Sequence, residues 1–312
     1  MEKLVVSSSP HIHSGASTQR IMLDVIIALL PASVAAVVLF GLKAFVLIAV
    51  SVATAVISEF LFNLITKKKQ TVGDLSAVIT GLLLALSLPT TTTVWQIIVG
   101  AAFAIVIVKC LFGGIGCNFA NPAITARAML IIAFSSSIAG GTNPTLTDLT
   151  AGATPLAAIQ GGATADTLPS LLDMLLGNRG GAIGETCAIA LILGGIYLIA
   201  RRVISWHTPV IYVATVFVLS LIIKQDVTIA LYQVLGGGLM IGAIYMATDY
   251  STSPTNTLGK VVFALGCGVL TVVVRFLGGL PEGASYAILM MNILSPYIEK
   301  LCASVPFGKV GK

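Results

Sequence analysis

Four stretches of this chain run for twenty positions or more without a charged residue: Leu75–Val108, Ala128–Thr147, Val203–Ile223 and Val227–Thr248. A helix crosses a bilayer core of about 30 Å with about 20 apolar residues. Segments of this length and polarity are therefore suited to hydrocarbon rather than water. The balance of the chain agrees: hydrophobic residues make up 57% and charged residues 9%, against roughly 25% charged in a soluble domain. The sequence predicts an all-α polytopic membrane protein, one integral membrane domain spanning residues 1–312.

Apolar runs and their punctuation predict about ten transmembrane helices, at 22–42, 44–66, 73–88, 94–112, 124–140, 183–201, 208–223, 227–248, 258–278 and 284–302. Lys67–Lys69 ends the second, Pro89 with its four threonines the third, and Arg201–Arg202 the sixth. Residues 1–21 form a polar tail with no apolar core, so no cleavable signal peptide is expected. Residues 141–182 form a connection much longer than usual, which marks function or disorder. With the tail inside, thirteen Lys and Arg fall on inner segments and four on outer ones. The positive-inside rule then puts both termini in the cytoplasm and the 141–182 loop outside. The net charge of +5 is explained by these helix ends and does not point to nucleic acid.

The two halves resemble each other. Residues 86–114 align with 250–279 allowing one added residue, with Pro89 opposite Pro254 and Gly113–Gly114 opposite Gly278–Gly279. The aligned helices are the third to fifth and the eighth to tenth. An offset of five helices inverts the second copy across the membrane, giving an inverted five-helix pseudo-repeat. Repeats of this kind place a ligand where the halves meet.

None of the common enzyme signatures is present, and the five cysteines form no CxxC or CxxH pair. The candidate sites are features unusual for a bilayer. Residues 113–127 interrupt an apolar region with glycines, Asn118, Asn121, Pro122 and Arg127. Backbone freed there needs a partner. Arg127 reads either as an interfacial arginine or as a cation matched to an anion. Asp249 closes the eighth helix at the pseudo-symmetric break, as a plain helix end or as a ligand group. Glu59 falls within two turns of Lys67–Lys69, where snorkelling or ion pairing is expected. His11 and His13 read as surface histidines. In Thr150–Pro155, Gly152 permits a close approach and Pro155 fixes the backbone after Thr154, so a hydroxyl is presented on a turn of small residues.

That turn carries a resemblance. DLTAGATPL (148–156) is similar to the (S/T)GAT motif of RnfD, a membrane component of the Rnf electron-transport complex, and of its counterpart in the sodium-pumping NADH:quinone reductase. SSSPHIHSGASTQRIMLDVIIALLPA, FGGIGCNFANPAITARAML, GGAIGETCAIALILGGIYL, GGGLMIGAIYMATDYSTSP and EGASYAILMMNILSPYI extend the likeness over nearly the whole chain. Its length and short tail favour RnfD over the reductase counterpart. The resemblance implies FMN joined to Thr154 by a phosphoester. It further implies a role in a ferredoxin:NAD⁺ oxidoreductase that couples electron transfer to sodium or proton export, as one component rather than an enzyme on its own. The implied partners are RnfA, RnfB, RnfC, RnfE and RnfG, above all the flavin-bearing RnfG, together with lipid of a bacterial inner membrane. Ala151 departs from the motif, which more often has serine; this bears on a supporting hydrogen bond and leaves Thr154 in place. A second, non-covalent flavin (riboflavin) is expected in the bundle, with Asn121, Arg127 and Asp249 as lining residues. The rival from another class is a solute channel or secondary transporter, since inverted repeats with broken helices also serve carriers.

Overall fold

A computed structural model describes residues 17–138, 141–142, 144, 151–152, 154–162, 168–279 and 282–303. These are mostly helical. The major helices are α1 (Thr18–Ile65), α2 (Ser76–Leu86), α3 (Val94–Cys110) and α4 (Pro122–Ala133), with a short α5 (Ser135–Ile138). Across the long connection come β1 (Gly141–Thr142), β2 (Ala151–Gly152), α6 (Pro155–Gln160) and α7 (Leu171–Leu176). The second half holds α8 (Ala188–Ala200), α9 (His207–Lys224), α10 (Val227–Leu235), α11 (Leu239–Met246), α12 (Thr257–Phe276) and α13 (Gly283–Leu301). By length and composition three of these, α1, α9 and α12, can cross a membrane, or four when α10 and α11, bent by 62° at their junction, count as one span.

The 48 residues of α1 form two limbs. Gly41 sits at φ 69, ψ −158, outside helical space, and glycine alone takes such a conformation without a steric penalty. Thr18 and Met22 of the first limb line a cavity with Lys109, which is bonded to Glu59 of the second limb. The limbs therefore fold back on each other at Gly41. The first limb covers about 33 Å at 1.5 Å per residue, enough for a bilayer core. The predicted segments 22–42 and 44–66 divide at Lys43, two residues past this glycine.

Small residues set the packing, as expected where helices associate in lipid. Ala28, Ala32, Ala36, Ala44 and Ala55 are buried along α1. The Ser51 hydroxyl donates to the Gly81 carbonyl at 2.7 Å. Tyr245 donates to the carbonyls of Ala28 and Leu191, at 3.1 and 3.2 Å, tying α11 to α1 and α8.

Two predicted helices differ in the structure. The segment 124–140 ends at Ala133, and Phe134 leaves helical geometry. The segment 227–248 is broken at Gly236–Gly238, with Gly237 at φ 63. Three successive glycines offer no side chain to pack, and arginines from elsewhere take the carbonyls released there, as described below. The long connection is docked on the bundle. β1 pairs with β2 in antiparallel register, Gly141 opposite Gly152. Met174 of α7 is buried against Ile159 and Tyr232, and Tyr232 donates to the Pro169 carbonyl at 2.5 Å.

Candidate functional site

Thr154, 7% exposed, is the N-cap of α6, its hydroxyl oxygen accepting from the Ala157 N–H at 3.3 Å. Pro155 at the first helical position is the residue type that tolerates a missing N–H there. Across from it stands Gly141, where a Cβ would approach the Thr154 methyl to 2.7 Å and the Gly181 nitrogen to 2.9 Å. The Thr142 and Gly181 backbones bond to each other at 3.2 Å in both directions. Thr154, β1 and the turn at Gly181 thus form one small unit, with Gly152 on its second strand. Thr150 and Ala153 of the motif lie outside the described residues, as do His11 and His13.

Asn121 and Asp249, 128 positions apart in sequence, line one cavity of about 400 Å³. Its walls are mostly apolar, from Ile21, Val25, Ile79 and Leu83, and Asn118 and Tyr250 add polar groups. Asn121 caps α4, accepting from the Ala123 and Ile124 N–H groups at 3.0 and 3.4 Å. Asp249 is held by Ser251 and Thr252. Asn118 Oδ1 is buried and meets no donor among the described residues. A ligand in this cavity would find an unused acceptor. Volumes of 300–1,000 Å³ with a few fixed polar groups are typical of small-molecule sites.

Arg127 stands apart from that cavity. It is buried, with Nη1 3.1 Å from Glu185 Oε1 and 3.2 Å from Ser285 Oγ, and Nη2 bonded to Glu282. It is a buried ion-pair residue whose charge is matched by carboxylates of this chain. Two further arginines act on the α10 break. Arg275 donates from Nη1 to the Gln233 carbonyl at 2.5 Å and from Nη2 to the Gly236 carbonyl at 3.3 Å. Arg179 Nη2 donates to the carbonyls of Leu235 and Glu185, at 2.7 and 2.8 Å. The carbonyls left free at a helix C-terminus are thereby satisfied without water.

Glu59 pairs with Lys109, not with Lys67–Lys69. Lys109 Nζ lies 2.9 Å from both carboxylate oxygens and 2.5 Å from Ser76 Oγ, with the lysine 2% and the glutamate 1% exposed. Thr71 donates to the same carboxylate at 2.7 Å. Sequence reasoning did not single out Lys109, Arg179, Glu185, Arg275 or Glu282. Lys109 and Arg275 carried a signal, being lone cations at the ends of apolar helices. Glu185 and Glu282 sit among glycines in connecting segments, where their depth is not legible.

The family model described as NQR2, RnfD, RnfE matches residues 5–308. The chain belongs to this family. Among its relatives, the RnfD-type component of the Na⁺-translocating ferredoxin:NAD⁺ oxidoreductase complex of Acetobacterium woodii is 45% identical, covering 98% of this chain and 95% of that protein. The corresponding component of the proton-translocating ferredoxin:NAD⁺ oxidoreductase complex of Clostridium ljungdahlii is 37% identical over 97% and 96%. That of an ion-translocating oxidoreductase complex from Methanosarcina acetivorans is 33% identical over 99% of each chain. The family spans relatives named for different coupling ions, on a common chain length.

Proposed function

We propose that this chain is the flavin-carrying RnfD component of an Rnf-type ferredoxin:NAD⁺ oxidoreductase complex that couples electron transfer to sodium or proton export. The observation that carries this reading is the match to such components over nearly the full chain. The surroundings of Thr154 suit a phosphoester with FMN. Its oxygen accepts in the cap, so the hydroxyl proton is not committed to the protein. The facing Gly141 lets its backbone close on the Thr154 methyl, which a Cβ would approach to 2.7 Å, and so fixes the threonine's position. On the same unit, two positions before Gly181, Arg179 Nε is a buried donor with no partner among the described residues. Thr154 would hold the flavin, with Arg179 and the main chain at Gly152 as candidates to position its phosphate. Bound there, FMN supplies one- and two-electron chemistry, and the protein sets its orientation and potential.

Asn118, Asn121 and Asp249 would line the site of a second, non-covalent flavin, riboflavin, in the 400 Å³ cavity. In this reading the chain has about ten membrane-crossing segments, shorter helices included, arranged as an inverted five-helix pseudo-repeat. It works with RnfA, RnfB, RnfC, RnfE and RnfG in a bacterial inner membrane, receiving electrons from the flavin of RnfG. Both termini face the cytoplasm and Thr154 the outside. Lys109, Arg127, Arg179 and Arg275 are buried and so drop out of the loop charge count, leaving eleven cations inside against two outside. The bias keeps its sign.

The test is in-gel fluorescence of the denatured chain under ultraviolet light. Wild type should give a yellow-green band, and Thr154→Val, close in shape but lacking the hydroxyl, a dark band at equal expression. Thr150→Val should stay fluorescent. A dark wild-type band would favour the channel or transporter reading. For orientation, Ser170→Cys in a chain lacking Cys187 should react with a membrane-impermeant thiol reagent in intact cells. Ser170 is exposed, and its hydroxyl hydrogen bond holds the Asp173 carboxyl below the usual range. Labelling only in opened cells would put this loop inside.

A further inference from the structure

Beside the Asn121–Asp249 cavity, and sharing Ile204, Thr248 and Tyr250 with it, lies a second pocket of about 270 Å³. Ser205, Thr208, Ser253 and Lys260 give it a polar lining. Lys260 stands in the first turn of α12 and makes no ion pair with any described carboxylate. The acids nearby are engaged: Glu299 accepts from the Thr255 N–H and hydroxyl, and Asp249 from Ser251 and Thr252. Thr208, in the first turn of α9, is only 2% exposed, and its hydroxyl has no partner among the described residues. Both α9 and α12, of 18 and 20 residues, begin without a side-chain cap. Pro209 removes one main-chain donor from the α9 start, and of these two first turns it is Thr208 and Lys260 that line the pocket.

We infer that this pocket binds a phosphate ester, held by Lys260 and the hydroxyls of Thr208 and Ser205. An ammonium with three N–H donors and the hydroxyls of Thr208 and Ser205 suit an anion with three or more acceptor oxygens. A monatomic anion would leave most of 270 Å³ unfilled. The ester has two sources. One is a phospholipid headgroup, favoured by the exposed apolar side chains of Trp206, Val210 and Leu258 on the flanking turns, as for basic pockets between membrane helices. The other is the phosphorylated end of a soluble ligand reaching across from the larger cavity. The pocket's donors are present whether or not that cavity takes a flavin.

The experiment uses the protein purified from membranes with its associated subunits, exchanged into phosphorus-free detergent. Phosphatidylglycerol, FMN and inorganic phosphate are added separately, and bound ligand is counted by native mass spectrometry. Lys260→Gln should weaken binding of one equivalent about tenfold, the scale of one charge-assisted hydrogen bond. Thr208→Val should weaken it less, and Lys260→Arg should retain it. Loss confined to phosphatidylglycerol supports the site and assigns a lipid; loss with FMN or inorganic phosphate supports it and assigns a soluble phosphate. Equal binding of every probe by wild type and the Lys260→Gln and Thr208→Val variants overturns the inference.

Discussion

The chain interrupts its apolar helices with glycine at Gly113–Gly116 and again at Gly236–Gly238, and the two interruptions have different surroundings. At the first, Gly113, Gly114 and Gly116 all take positive φ, and a Cβ on Gly114 or Gly116 would meet nothing within 4 Å. Ile115, Gly116 and Asn118 face the 400 Å³ cavity, where Asn118 Oδ1 lacks a partner among the described residues. At the second, a Cβ on Gly238 would come within 2.7 Å of Glu185 Oε1 and 3.0 Å of Arg127 Nη1. The carbonyls of Gln233, Leu235 and Gly236 are all taken by arginine. Backbone freed inside a membrane has to find partners. The protein supplies them itself at the second break, which is a sealed joint. It leaves space and an unused acceptor at the first, which is where a ligand can contribute.

The largest effect that tests this contrast is at Arg127. Arg127→Met leaves the buried Glu185 and the partly buried Glu282 without their cation, and breaking a buried pair costs about 3–5 kcal/mol. The amount of assembled complex should fall sharply; wild-type yield and melting temperature would mean the joint is not sealed by charge. Next come paired glycine changes. Gly238→Ala forces a methyl into the ion pair, at about 1–3 kcal/mol for overpacking. Gly116→Ala meets no atoms, and its cost is the left-handed backbone alone, about 1–2 kcal/mol. The melting temperature should drop further for Gly238→Ala, and the opposite order would break the comparison. The smallest stability effect is expected at Asp249. Asparagine keeps an oxygen for Ser251 and Thr252, so Asp249→Asn should change stability by less than about 0.5 kcal/mol, yet impair coupled electron transfer. Full turnover would remove Asp249 from the working site.

The helical segments were largely legible because apolar runs and charged punctuation are local signals. The boundary expected at Lys43 falls two residues from the Gly41 break in α1, and the helix expected from 124 starts at Pro122. The breaks were legible only as glycine content. Residues 227–248 read as one helix, since an uninterrupted apolar run carries no mark of a 62° bend. The Thr154 turn could be read from Gly152 and Pro155, but its docking against Gly141 and Gly181 depends on a strand pairing that composition does not encode.

The membrane character of this protein, its approximate helix boundaries, its family and the hydroxyl at Thr154 follow from the sequence alone, because each rests on residues close together in the chain. Tertiary structure decided which charges meet. Glu59 found Lys109 fifty residues away instead of its neighbours Lys67–Lys69, and Arg127 joined Glu185 and Glu282 instead of the cavity that Asn121 and Asp249 share. A buried charge takes the partner that folding brings within about 3 Å, since an unpaired one in low dielectric costs several kcal/mol. That choice depends on how helices distant in sequence cross, which no local pattern records.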